Sequence, residues 1–290
     1  MFDRRPTVAE YAASVAEPRP PVPEQVKRRL RQEAGFGCCR CGSPIIQYQH
    51  IIGYAKDPHF RAEDMMVLCP GCHDMATKGA LPEPEQRKLK ARPFNIEQGL
   101  TYGQLTVTQG PLALTLGSIL VINDGPILAI GDVTVLSVIQ EDGAALLSID
   151  LRDEAGTQLL LVVDNEWILG PPEVWDMQAD YQRLTLHAKA RDIRLSLNLK
   201  TTPGRLRGRF WHAGQFVEVA ADGIRTESGL MMSDLAFVRL PATFVANGSW
   251  SLGAAGISGY IISEADPMNR YAKAVNAYRG HPGNVVEPIA

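Results

Sequence analysis

All five cysteines of the chain lie between residues 38 and 72, and four of them form two Cys-x-x-Cys pairs, Cys38/Cys41 and Cys69/Cys72, with 27 residues between the pairs. Two thiolates on each of two short loops make a donor set for one tetrahedral zinc ion, with no coordination position left over for water or substrate. Cys39 is then a bystander; in place of Cys38 it would leave only one residue between it and Cys41, against the usual spacing. A redox role for the pairs lacks the surrounding βαβ pattern. Interleaved with the cysteines are His50, Asp64 and His73. A neutral imidazole near pH 7 accepts a proton from water. A carboxylate beside an imidazole attracts a hard divalent ion of the kind that neutralises charge growing on a phosphate.

The elements that must carry these residues are short. Val26, Leu30 and Ala34 recur at helical spacing from Glu24, with Lys27, Arg28, Arg29 and Arg31 on the remaining surface and Gly35 at the end, which predicts a basic amphipathic helix. Pro44 to Ile52 is rich in β-branched residues between Gly42 and Gly53 and reads as a strand with His50 near its end. A polar loop over 53–64 returns to Met65-Met-Val-Leu68, and a helix is expected near His73. Pro82, Glu83, Pro84 and Glu85 suit the start of a further helix over 82–92, and Arg87, Lys88, Lys90 and Arg92 suit its end.

The order of strand, loop, strand and helix, with His50, Asp64 and His73 set between and beside two zinc knuckles, resembles the HNH nucleases of the ββα-metal type over residues 24–97, about a quarter of the chain. The resemblance implies a metal-dependent endonuclease acting on DNA: a structural Zn²⁺ on the four cysteines, His50 as general base, and one Mg²⁺ or Mn²⁺ held by Asp64 and His73. Two positions depart from the family pattern. Asp64 stands where Asn is usual, and Gln49 stands before the histidine where Asp, Glu or His is common, so the acidic ligand is read as exchanged between them. Thr77 occupies a position where relatives carry His or Asn. Lys78, Arg28 and Arg31 are candidate phosphate contacts, against the plainer reading that a charge run is a solvated face. The alternative function is a zinc-stapled nucleic-acid-binding module that has lost cleavage.

Beyond residue 97 the texture changes to short alternating runs, among them 104–108, 112–116, 119–122, 146–151, 158–163, 184–187, 193–199 and 216–219. Asn123-Asp-Gly125, Glu141-Asp-Gly143, Glu154-Ala-Gly156 and Ala221-Asp-Gly223 punctuate them as turns. The expected fold class is therefore α+β: a small zinc-stapled ββα module over 24–97, an all-β domain over 98–264 built as a meander, sandwich or short solenoid, a lead-in over 1–23, and a C-terminal segment or tail over 265–290. Asp164-Asn-Glu-Trp167 and Trp175-Asp176, near the Gly170-Pro-Pro turn, are the most distinctive runs of the β domain and read as sheet packing.

The chain carries 29 Lys/Arg and 32 Asp/Glu, but through Leu100 the balance is 15 to 12 and beyond it 14 to 20. Charge thus places any nucleic-acid contact on the first part. No apolar run approaches the length of a membrane span, so the expectation is a cytoplasmic protein with no membrane contact. The β domain would then serve sensing, partner binding or oligomerisation, in a phage-defence or restriction setting.

Overall fold

The computed structural model describes residues 19–107, 110–170, 174–240, 243–246, 249–252 and 260–280. The lead-in through Pro18, Thr108, Pro171 and Pro172 of the turn after Gly170, and the tail from 281 lie outside these residues. The fold is α+β, with few helices, a two-stranded hairpin at the head and two large sheets after it.

Helix α1, Glu24–Glu33, buries Leu30 and Arg31. It ends in a Schellman turn: the Gly35 and Phe36 amides donate to Gln32 O and Arg31 O at 3.2 and 2.8 Å, with both residues at positive φ. That turn delivers Phe36 into the core of the β domain, apart from the head's own core. The first knuckle follows, closed by Gly42 N–H to Cys38 O at 2.9 Å. Gly42 sits at φ 76, and a Cβ there would lie 2.4 Å from Asn95 Oδ1, so glycine is required.

Strand β1, Gln47–His50, pairs antiparallel with β2, Met65–Leu68, with His50 opposite Met65. The first strand is shorter than the run over 44–52 suggests, because pairing is limited by the fully buried length of β2. Helix α2, Pro70–Thr77, starts directly after Cys69 with proline at its first position, which places His73 in its opening turn. Helices α3, Glu83–Ala91, and α4, Phe94–Gln98, complete the head, and Gly99 ends α4 in the left-handed region.

The β domain is a sandwich. In one sheet the order is Ser249–Leu252, Thr243–Ala246, Gly125–Ile130, Val133–Glu141, Ala144–Arg152, Gln158–Val163, Glu166–Leu169, Thr101–Gln104. In the other it is Asp176–Asp180, Arg183–Lys189, Asp192–Asn198, Gly204–His212, Ala113–Leu116, Ile119–Ile122, Leu235–Val238, Tyr260–Ser263. Gln215–Val219, Ile224–Thr226 and Met231–Met232 extend from Gly204–His212. One core of inward side chains from both sheets, including Leu128, Leu147, Trp167, Leu195, Leu206 and Phe210, fills the space between them. Asn123-Asp124 is a corner where the chain crosses from one sheet to the other, instead of the hairpin turn its sequence suggests. Helix α5, Pro267–Tyr278, covers the outer side of the second sheet over Leu120, Ile122, Ala236, Val238 and Ile262.

Candidate active site and metal centre

Cys38, Cys41, Cys69 and Cys72 bring their sulfurs within 4.8 Å of one another, and the Cys41 and Cys69 sulfurs are 3.7 Å apart. Four sulfurs about 2.3 Å from a tetrahedral ion lie about 3.8 Å from each other, so the cluster has the dimensions of a closed zinc site. Cys39 is excluded from the cluster; it is buried in the head, with its amide on Val67 O and its carbonyl accepting from Phe94 N. Burial pushes the Cys38 thiol well above its ordinary pKa. A cation at the centre reverses that preference by stabilising the thiolates. Arg40 lies beside the sulfurs, 3.8 Å from Cys72 Sγ.

His50, the last residue of β1, is buried against Tyr54, His59 and Phe60. Its Nε2 lies 2.8 Å from the His59 carbonyl oxygen. A carbonyl only accepts, so the proton of the neutral ring is on Nε2 and Nδ1 carries the free lone pair. Arg19 stands against the same ring, with Nη2 2.7 Å from Nδ1 and 3.0 Å from Nε2, while its guanidinium lies over the Tyr54 ring at 4.1 Å. Burial lowers the His50 pKa below the usual histidine value, and the Arg19 charge lowers it further, against the His59 hydrogen bond that raises it. The ring is therefore oriented by the His59 carbonyl, and its surroundings favour the neutral form.

Asp64 closes the same end of the hairpin, its carbonyl accepting from Ile51 N at 2.8 Å. Its carboxylate receives Arg61 Nε on Oδ2 at 2.9 Å and Arg87 Nη2 on Oδ1 at 3.0 Å, and these bonds hold its pKa below the ordinary aspartate value. His73 is half-buried. Gln49 donates to the His50 carbonyl at 2.8 Å, and Thr77 donates to the His73 carbonyl at 3.0 Å. Among the described residues the four cysteines are the one group of three or more metal-ligating side chains. The side chains as they stand therefore fit zinc at the cysteines, while the Asp64 carboxylate is taken up by Arg61 and Arg87.

The three candidate phosphate contacts separate. Lys78 is exposed and paired with Asp74 at 2.9 Å. Arg31 is 3% exposed and forms a bidentate pair with Asp176 of the sandwich at 2.8 and 2.6 Å, with further bonds to Glu24 and Tyr48. It is not available to a phosphate. Arg28 stacks over the Trp175 ring at 4.1 Å, and Gln32 donates to the Trp175 carbonyl. The inward face of the basic helix thus docks the head onto the sandwich edge. Three residues of the site carry no signal in the spacing: Arg19, Arg61 and Arg87. His59 was findable, a second histidine in the loop between the two strands.

Compared with family models, with curated proteins and with solved structures, the chain matched none of them.

Proposed function

We propose that the head is an HNH-type endonuclease that hydrolyses phosphodiester bonds in DNA. The observation that carries this reading is the His50 imidazole, held by its Nε2 proton on the His59 carbonyl so that Nδ1 is the base, at the end of a hairpin stapled to a helix by four cysteines. In the proposed reaction His50 Nδ1 takes a proton from the attacking water, whose oxygen bonds to phosphorus as the bond to the 3′ oxygen breaks, giving a 5′-phosphate and a 3′ oxygen that takes a proton from solvent to become a 3′-hydroxyl. Arg19 stands where that water or the phosphate must come, so substrate displaces it from Nδ1; its guanidinium then remains beside a developing anion. Zn²⁺ on the four cysteines holds the hairpin to α2, contributing on the order of 10–16 kcal/mol as structural zinc does in small modules. A hard divalent ion, Mg²⁺ or Mn²⁺, supplies charge neutralisation at the phosphate when bound; Asp64 is free to take one only after Arg61 or Arg87 lets go.

That last point favours a second reading, a zinc-stapled DNA-binding module without cleavage. Plasmid incubated with the purified protein and Mg²⁺ or Mn²⁺, then with EDTA, separates the two. Metal-dependent nicking that His50→Ala abolishes supports the enzyme; DNA binding with no nicking under any metal supports the binding module.

A further inference from the structure

The charge of the sandwich is concentrated. Of the 14 Lys/Arg and 20 Asp/Glu beyond Leu100, residues 176–225 hold nine and five, leaving five cations and fifteen acids for the rest. Asp176–Asp180, Arg183–Lys189, Asp192–Asn198 and Gly204–His212 within this stretch are consecutive neighbours at the end of the second sheet that meets the head. Along Gly204–His212 the side chains alternate, Leu206 and Phe210 entering the core while Arg205, Arg207 and Arg209 face outward. Register extends the outward side into two polar rows: Gln178, Thr185, Ser196, Arg207, and Asp180, Arg183, Asn198, Arg205, Thr115.

The acids of this stretch are already answered. Asp180 pairs with Arg183 and Lys200 at 2.8 and 2.9 Å, Asp192 with Arg194 and Arg209 at 3.3 and 3.5 Å, Glu218 with Arg209 at 2.9 Å, and Asp222 with Arg225. Lys189, Arg191, Arg205 and Arg207 are left with no carboxylate partner among the described residues, and the three arginines share the hollows of this face. They are also contiguous. Arg191 and Arg207 line one shallow hollow, and Arg205 and Arg207 line a second, of about 400 Å³, that runs to the start of α5 at Pro267 and Met268. The head bounds the same outward side at Asp176, so the open arginine rows lie between head and α5.

We propose that this face binds duplex DNA through its phosphates and feeds it to the head; the choice of DNA as the polyanion rests on the nuclease reading above. Guanidinium forks match phosphate oxygens. The two rows themselves contain no aromatic ring on which an unpaired base could stack; Tyr271 lies only in the hollow toward α5, so the rows take the backbone and leave the bases unread.

The test is fluorescence anisotropy of a labelled 25-base-pair duplex in EDTA, across a salt series, for the full chain and the variants Arg205→Gln/Arg207→Gln and Arg183→Gln. Two lost phosphate contacts lower the slope of log K against log salt by about 1.8 and weaken binding at 0.1 M salt by roughly 60-fold, while Arg183→Gln, already paired with Asp180, changes little. Unchanged affinity and slope in the double variant overturn the proposal, as does a parent protein that does not bind duplex. Single-stranded DNA or RNA bound more tightly than duplex also overturns it. Matching thermal melts of parent and double variant show that the effect is not misfolding. The nuclease reading fails separately: absent nicking with intact, arginine-dependent duplex binding removes the enzyme and leaves this surface.

Discussion

The bond between head and sandwich rests on a pair that leaves little room for compromise, Arg31 and Asp176, with 3% and 5% of their side chains exposed. Burial alone would favour a neutral Arg31, but hydrogen bonds to Asp176 and Glu24 hold its pKa above the usual arginine value. Replacing one partner strands the other. Arg31→Met leaves the Asp176 carboxylate with one 3.4 Å bond from Gln178, so the expected loss is about 4 kcal/mol, in the middle of the range for a broken buried pair. Asp176→Ala leaves the guanidinium bonded to Glu24 at 2.7 Å and Tyr48 at 2.5 Å, so the loss falls toward the lower end, about 3 kcal/mol. Arg31→Met with Asp176→Leu removes both charges and recovers to within about 1 kcal/mol of the parent. Urea unfolding followed by tryptophan emission reads this directly, because Trp175 lies under Arg28 at 4.1 Å and reports undocking. In the single variants an early transition in which Trp175 is exposed should separate from loss of the sandwich. Singles and double all within about 0.5 kcal/mol of the parent would refute the account, since no buried charge would then have been stranded.

Four further outcomes follow from the head. Metal analysis should return close to one zinc per chain, and Cys41→Ser should unfold the head while the sandwich, with its separate core, stays folded by near-ultraviolet circular dichroism. If His50 is the base, nicking falls on the acid side with a midpoint below 6.5, because the lowered pKa keeps the ring neutral to lower pH; Arg19→Ala removes a lowering charge and moves that limb upward, read from a pH–rate profile. The same depressed pKa makes the fold lose stability as pH drops below 6.5, where the unfolded chain binds a proton that the buried ring does not. Arg87→Gln, by freeing Asp64 Oδ1, should lower the Mg²⁺ concentration needed for half-maximal nicking, whereas Asp64→Asn should raise it; a Mg²⁺ titration in which both variants match the parent removes Asp64 from metal binding.

The four-cysteine cluster was legible because coordination chemistry fixes spacing, and two Cys-x-x-Cys pairs leave few other arrangements. The Asp142-Gly143 hairpin was legible for a similar local reason, both residues at positive φ. Gly204–His212 was missed, since three arginines and Gly208 hide its alternation. Gly208 is there because a Cβ would lie 2.7 Å from the Arg194 carbonyl. The sandwich itself was one of three open choices, and what decides it is non-local: Ala113–Leu116 runs parallel to Gly204–His212, and Ile119–Ile122 parallel to Leu235–Val238. Arg19 could not be found from spacing either, lying 31 residues from the ring it meets. Asp164-Asn-Glu-Trp167 proved structural, with Asn165 bonded to Leu147 N and Ala145 O and Trp167 in the core.

Totals by module mislead about where a polyanion goes. The head carries the positive balance, yet Arg31 is buried, Arg28 stacks on Trp175, and Arg61 and Arg87 face Asp64. What counts for a phosphate is a cation that is exposed and has no carboxylate beside it. By that measure the acidic β domain offers Arg191, Arg205 and Arg207, on the outward side of the sheet whose edge holds the head. Under the proposed DNA-binding reading, docking through Arg31–Asp176 gains a functional meaning: it would fix the distance between that surface and the hairpin end that bears His50. A pair of variants checks that link, since Arg31→Met should reduce nicking of long duplex more than it reduces duplex affinity, while Arg205→Gln/Arg207→Gln should reduce both together.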